Sequence, residues 1–271
     1  TLLFRGYTGN NWFAAESSTL VAAALSLKDA QKRNFYLDFY LNRDTVVDGC
    51  GQLSLPSASK LWFTPDGHWK EPGGYHNYPV SKLIEAALML ENNGYQIFNQ
   101  YPILLNASYV MLKYSFPDLT ASAFGDTGRP RQSMECLESA ILMADKYQLP
   151  ILPDLLNAAM IMEQAGQYDR SKSGLTGLLC YLPELPKVKS VNDHLWNRSE
   201  QLDFASCYLQ RNGIDPQNGL MCVVQGATYN HNHSNYMEPA LFKVSIRVMD
   251  LPMNIRCMLI IIRNGRHITR L

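Results

Sequence analysis

The sequence predicts a mainly helical protein with a small antiparallel β portion at its C-terminal end. Three observations lead there. Apolar residues recur at the three-and-four spacing of a helix through most of the first 187 residues. Many of those stretches end at Gly or Pro, the residues that stop helices. After Lys187 the segments shorten, gain β-formers and are parted by a turn-rich loop. The expected division is a helical domain over residues 1–187 and a β-sheet domain over 188–271.

From Trp12 to Leu27, Phe13, Leu20, Val21, Ala24 and Leu27 form one apolar stripe. The stretch Ala30–Leu41 continues the pattern through Phe35, Tyr36, Phe39 and Tyr40. A loop rich in Pro, Gly and Ser is expected from about Gly49 to Gly74, and it carries Trp62 and Trp69. Helical patterning returns at Val80–Glu91, Ile97–Lys113, Ser133–Tyr147 and Leu152–Gln164, with stops at Asn93-Gly94, Phe116-Pro117, Leu149-Pro150 and Ala165-Gly166. Phe204–Gln210 and Leu220–Gly226 read as antiparallel strands. Only some 45 residues follow, too few to complete a large β-sandwich, so the β portion is expected to be small or truncated.

Composition narrows the functional classes. With 46% hydrophobic and 18% charged residues, the 271-residue chain is neither disordered nor collagen-like. It is long enough to bury a core without disulfide or metal staples. Lys plus Arg and Asp plus Glu both number 24, which argues against nucleic-acid binding through a broad basic surface. The longest apolar run, Cys257–Ile262, is far short of the ~18–20 residues of a membrane span. Six scattered cysteines without a C-x-x-C pair are expected to be buried free thiols. The chain opens at Thr1 with no initiator Met and no basic-then-apolar leader, as if its start were removed or missing.

Four motifs carry candidate chemistry. In Asn230-His231-Asn232-His233-Ser234-Asn235, two histidines sit at i and i+2, embedded in polar residues. One can face a cleft while the other binds a metal or fixes the loop; a solvated polar turn is the plain alternative. In Glu71-Pro72-Gly73-Gly74-Tyr75-His76-Asn77-Tyr78-Pro79, Pro and Gly fix a backbone that displays Tyr75 and His76. A tyrosine there can serve as general base or acid, or simply staple loop to helix. Gly9-Asn10-Asn11-Trp12 opens the first long helix, where orphan N–H groups and the helix dipole favour a carboxylate; an ordinary N-cap explains it as well. Phe124-Gly125-Asp126-Thr127-Gly128-Arg129-Pro130 reads as a structural turn, with Arg129 and Arg131 available to an anion.

Taken together, these stretches resemble the heparinase II/III-like and alginate-lyase-like polysaccharide lyases. Asn10-Asn11-Trp12, Pro72-Gly73-Gly74-Tyr75-His76, Phe124-Gly125-Asp126 and Gly226 through His233 run in the family's order over roughly residues 1–238. The resemblance implies an incomplete α/α toroid, of which residues 1–187 are the C-terminal part, followed by an antiparallel β-sheet that starts a β-sandwich. It implies cleavage of acidic, uronic-acid-containing glycans of heparin, chondroitin or alginate type by β-elimination, in a periplasmic or secreted protein. Carried over motif by motif, Tyr75 and His231 are the catalytic tyrosine and histidine, and Asn10 or Asn11 neutralises the uronate carboxylate. Trp12, Trp62, Trp69 and His76 are expected to contact substrate. His233 is similar to a histidine that ligates a structural zinc in some members, a site that needs about three further ligands.

After Glu238 the sequence departs from the family. Lys243–Leu271 carries six Lys or Arg against Asp250 and no Tyr, as a divergent strand pair or an unrelated segment would. Two rivals remain. A glycoside hydrolase on an α/α barrel needs two carboxylates facing a cleft, drawn from Glu16, Glu71, Asp126 and Glu135. A non-catalytic glycan-binding helical protein would stack sugars on Trp62, Trp69 and Tyr75.

Overall fold

The computed structural model describes residues 2–9, 11–71, 74–113, 115, 134–164, 177, 199–202, 207–211, 220–226, 242–248, 261–262 and 268–269. Among these, the helices are α1 (Leu2–Arg5), α2 (Trp12–Leu25), α3 (Ala30–Leu41), α4 (Leu55–Trp62), α5 (Gly74–Glu91), α6 (Ile97–Gln100), α7 (Ile103–Lys113), α8 (Met134–Lys146) and α9 (Leu152–Gln164). The strands are β1 (Glu200–Leu202), β2 (Cys207–Arg211), β3 (Leu220–Gly226), β4 (Phe242–Val248), β5 (Ile261–Ile262) and β6 (Ile268–Thr269). The protein is thus mainly α with a small antiparallel β portion. No helix among the described residues is long and apolar enough to cross a membrane.

Local signals explain most boundaries. Asp29 caps α3 by accepting from the Gln31 and Lys32 amides at 2.9 and 3.1 Å, an arrangement typically worth ~1 kcal/mol. Gly94, at φ +88°, ends α5 with the Tyr95 amide turned back to the Leu90 carbonyl. The region from Gly49 to Gly74 is not one loop, as the sequence suggested, because α4 lies inside it. Ser54 as N-cap and Pro56 in the first turn start that helix, while Asp44 holds the Ser54 amide and the Ser57 hydroxyl. The expected single helix over Ile97–Lys113 is two, split at Pro102, whose ring starts α7 and cannot continue α6.

The core joins the helices into one cluster. Phe13, Val21, Leu37, Tyr40, Leu55, Trp69, Leu83, Ile84 and Phe98 are among its buried members. Small residues let α2 and α5 lie close together: Ala14, Ser17 and Ala24 on one, Ala86 and Ala87 on the other, all buried. On α3 the buried face belongs to Leu37 and Tyr40; Phe35 and Tyr36 are exposed, and the Arg43 guanidinium lies 4.3 Å from the Phe39 ring centre. Of the cysteines whose exposure is described, Cys136 is a buried free thiol as expected, whereas Cys50 is exposed.

The strands form an antiparallel four-stranded meander in the order β1-β2-β3-β4, with β5 and β6 paired separately. Cys207 sits opposite Gln225, and Leu220 opposite Val248. The basic segment after Glu238 therefore supplies a strand, Phe242–Val248, to the main sheet. The sheet meets the helices at the C-terminal end of α7. Lys113 pairs with Glu200 on β1, and the Arg211 side chain on β2 donates to the Lys113 carbonyl, satisfying a helix-end acceptor.

Candidate active-site loop

After α4 the chain from Trp62 to Lys70 makes a tight hairpin. Phe63 and Trp69 pair in antiparallel fashion, the Thr64 amide reaches the His68 carbonyl at 2.9 Å, and the Lys70 amide reaches the Trp62 carbonyl at 3.0 Å. The turn Pro65-Asp66-Gly67 is braced by Thr64, whose hydroxyl donates to Asp66 Oδ1 and accepts from the His68 amide at 2.9 Å. Gly67 is at φ +98°, and a Cβ there would lie 2.7 Å from the Ala107 amide nitrogen. Only glycine permits both that backbone and that approach to α7.

Trp69 is the centre of the hairpin. Its indole stacks on Trp62 at 4.9 Å with the planes 13° apart, and meets Phe63 edge-on at 5.3 Å. Its Nε1–H donates to Glu71 Oε2 at 2.9 Å. Both indoles are buried, and the expectation that Trp62 and Trp69 contact substrate is corrected: each face is covered by protein, leaving no ring surface for a sugar. Glu71 is buried too, as acceptor for an indole N–H, which sets it apart from a solvent-reaching acid.

His76 requires the same correction. It is 0% exposed in the first turns of α5 and is packed, not displayed. Its Nδ1 accepts the Trp69 backbone N–H at 3.0 Å, so the ring proton sits on Nε2, which donates to the Ala107 carbonyl of α7 at 2.9 Å. Burial, against the opposing Ala107 bond, pulls its pKa down to about 3, and the ring is neutral throughout the physiological range. The imidazole is therefore a fixed clamp between the hairpin, α5 and α7.

His68 escaped the sequence reading. It is 2% exposed, and its Nε2 lies 3.1 Å from Asp66 Oδ2, whose own side chain reaches solvent. Burial lowers the His68 pKa, with Asp66 opposing and Lys113 reinforcing. Burial raises the Asp66 carboxyl, but the Thr64 hydroxyl and His68 outweigh it and leave the net shift downward. Lys113 and Glu200 lie within electrostatic reach of His68, placing this pair where helices and sheet meet. The signal available in sequence was Asp66-Gly67-His68, a turn doublet followed by a histidine between two tryptophans.

Tyr75 occupies the first turn of α5, half-buried, directly before the clamped His76. Asn11 is the N-cap residue of α2; it is buried, with backbone angles already helical, and its side chain makes no capping hydrogen bond. Trp12, next to it, is 60% exposed and is the one expected substrate-contacting residue of the four that faces solvent. Since α2 packs along α5, the Asn11–Trp12 and Tyr75–His76 pairs belong to adjoining helices. Asn10, His231, His233 and the Phe124–Pro130 motif lie outside the described residues.

Among the described residues no group of three or more His, Cys, Asp or Glu is placed to hold a metal ion. A polar cleft between α5 and α8 is lined by Ser81, Lys82, Glu85, Glu135, Cys136 and Ser139 and encloses about 70 Å³. Small-molecule sites typically enclose ~300–1,000 Å³, so this cleft is too small for a sugar ring flanked by two carboxylates. No family model matches the chain, and a search of the curated proteins finds no significant match.

Proposed function

We propose that the protein is a polysaccharide lyase that cleaves uronate-containing acidic glycans by β-elimination, on an incomplete α/α toroid whose β-sheet opens a sandwich. The observation that carries the reading is the braced hairpin from Trp62 to Lys70, clamped through Trp69 to His76 of α5, with Tyr75 half-buried at the head of that helix. Asn11, whose amide is not spent on capping, and the exposed Trp12 on the adjoining helix support it. A rigid scaffold carrying a polar group at an element's start is what positioned acid–base chemistry needs.

In this reading Asn11 or Asn10 donates to the uronate carboxylate and stabilises the charge that builds there as C5 loses its proton. Tyr75 or His231 takes that proton. The electron pair from the C5–H bond forms the C4=C5 double bond, and the C4–O bond breaks. The departing glycosidic oxygen takes a proton back, from Tyr75. Trp12 offers the exposed aromatic face against which a sugar ring can stack. His233 belongs to the same proposal as ligand of a structural zinc, and no step of the elimination depends on it. By the resemblance, such an enzyme would act in the periplasm or outside the cell.

The rivals have less support. Burial of Trp62 and Trp69 removes two of the three rings, Tyr75 aside, on which a purely glycan-binding protein was expected to stack sugars. Of the hydrolase candidates, Glu71 is sealed against an indole and Glu135 lines a cleft too small for a sugar. The test is ultraviolet absorbance on mixing the protein with heparan sulfate, chondroitin sulfate and alginate. A rising unsaturated-uronate signal that falls by ~10²–10⁴-fold in Tyr75→Phe, with the fold intact, is the expected outcome. Reducing ends appearing without that signal would mean hydrolysis and overturn the proposal.

A further inference from the structure

We infer that His76 is the positioning residue for Tyr75, acting through the backbone of the first turn of α5 and never touching substrate. This rests on the lyase reading for the role of Tyr75, and on geometry for the rest. The first turn of α5 has an intrinsic weakness. Pro79 lies four residues after Tyr75 and has no N–H to aim at the Tyr75 carbonyl, so the ladder of the helix is interrupted at the turn that carries the reactive hydroxyl. That turn is also held from outside the helix.

His76 does so from both ring nitrogens. Nδ1 takes the Trp69 N–H at 3.0 Å and Nε2 gives its hydrogen to the Ala107 carbonyl at 2.9 Å. Each partner is itself fixed. Trp69 is stacked on Trp62 and bonded to Glu71, while Ala107 lies on α7 where Gly67 presses the hairpin down. The ring is fully enclosed, which excludes direct substrate contact and makes the clamp stiff. Residue 75 is one peptide unit away. The two bonds demand an acceptor at one ring position and a donor at the other, which the Nε2-protonated imidazole supplies.

The experiment compares the full chain with His76→Gln, which keeps a donor in reach of the Ala107 carbonyl, and with His76→Ala, which keeps neither bond. On the uronate polymer that the wild type cleaves, kcat is expected to fall by ~10–100-fold in His76→Ala with KM within about twofold, and to recover in part in His76→Gln. In protein labelled with 3-fluorotyrosine, with the Tyr75 resonance assigned by its loss in Tyr75→Phe, that resonance is expected to shift or broaden in His76→Ala and move back in His76→Gln. In the wild type, imidazole ¹⁵N spectra should show His76 as a single neutral form protonated at Nε2, a result that does not depend on whether any variant folds. Unchanged kcat in a folded variant, a rise in KM alone, an unmoved Tyr75 resonance, or a mixture of His76 tautomers would each overturn the inference. If the wild type cleaves no uronate polymer, the lyase reading falls, and the fluorine and nitrogen spectra still decide whether His76 holds Tyr75.

Discussion

Acidification from pH 6.5 to 4.5 should destabilise the protein through His76 before any carboxylate weakens it. In the folded state burial holds the imidazole neutral, with a pKa of about 3 against an ordinary 6.5. The unfolded chain therefore binds a proton that the folded chain refuses, and stability rises with pH across that window. The contribution is complete above pH 6.5 and is lost progressively as pH falls toward 3. Because the slope builds to about 1.4 kcal/mol per pH unit only below 6.5, the two units down to 4.5 remove about 2 kcal/mol, a sizeable share of the ~5–15 kcal/mol a domain typically has. His68, lowered mainly by burial, adds loss of the same sign. Glu16, raised by burial, opposes it by protonating more readily when folded. Asp44 and Asp66 have lowered values, stay charged throughout this window and drop out. Urea unfolding midpoints at half-unit pH steps measure the slope. Because His68 and Glu16 are common to both proteins, the difference between wild type and His76→Gln isolates His76. The variant should be less stable at pH 7 and clearly flatter between 6.5 and 4.5. Parallel curves would refute the reasoning, since a ring that titrates normally cannot be the enclosed neutral clamp.

Other outcomes follow from the same geometry. Trp69→Phe keeps an aromatic ring against Trp62 but removes the N–H held by the buried Glu71 carboxylate, and should cost ~1.5–3 kcal/mol in urea unfolding. A cost near zero would mean that the Glu71 bond contributes nothing. Gly67→Ala puts a Cβ 2.7 Å from the Ala107 nitrogen at a positive φ and should cost ~1–3 kcal/mol, lifting the hairpin from α7; an unchanged thermal midpoint would contradict that contact. On the lyase proposal alone, since both histidines lie outside the described residues, His231→Ala should remove most elimination activity without altering metal content. On the same proposal, if zinc is bound, His233→Ala should lower zinc content and thermal stability together, as measured by elemental analysis and scanning calorimetry. Zinc-free wild-type protein of full stability would dispose of the zinc ligand.

Helix type and sequence order were legible where apolar spacing was strong and ends were marked. Ala30–Leu41 and Leu152–Gln164 lie where the periodicity put them, as does the strand Leu220–Gly226. Short elements were harder. The helix Leu55–Trp62 has only two turns, and its start signal, Ser54 followed by Pro56, is outweighed by the surrounding Gly and Ser. The candidate site was half legible. Tyr75 and Asn11–Trp12 stand out by residue type beside Gly and Pro, and such local chemistry survives without a fold. His68 did not stand out, because a histidine beside an aspartate gains meaning only when a helix end, Lys113, and a strand, Glu200, close over it.

The aromatic residues divide most clearly between what the chain encodes and what packing settles. Sequence alone determined that Trp12, Trp62, Trp69 and His76 lie within or beside the candidate motifs, and that the chain is helical with a few antiparallel strands, since periodicity, caps and turn residues are local properties. It could not determine which rings face out. Trp12 is exposed while Trp62 and Trp69 are enclosed, and the tautomer and charge of His76 depend on a carbonyl 31 residues away in sequence. Burial is a property of what other segments bring to a side chain. Desolvation and hydrogen-bond direction, which set the chemistry of an imidazole, come into being only with the tertiary contacts.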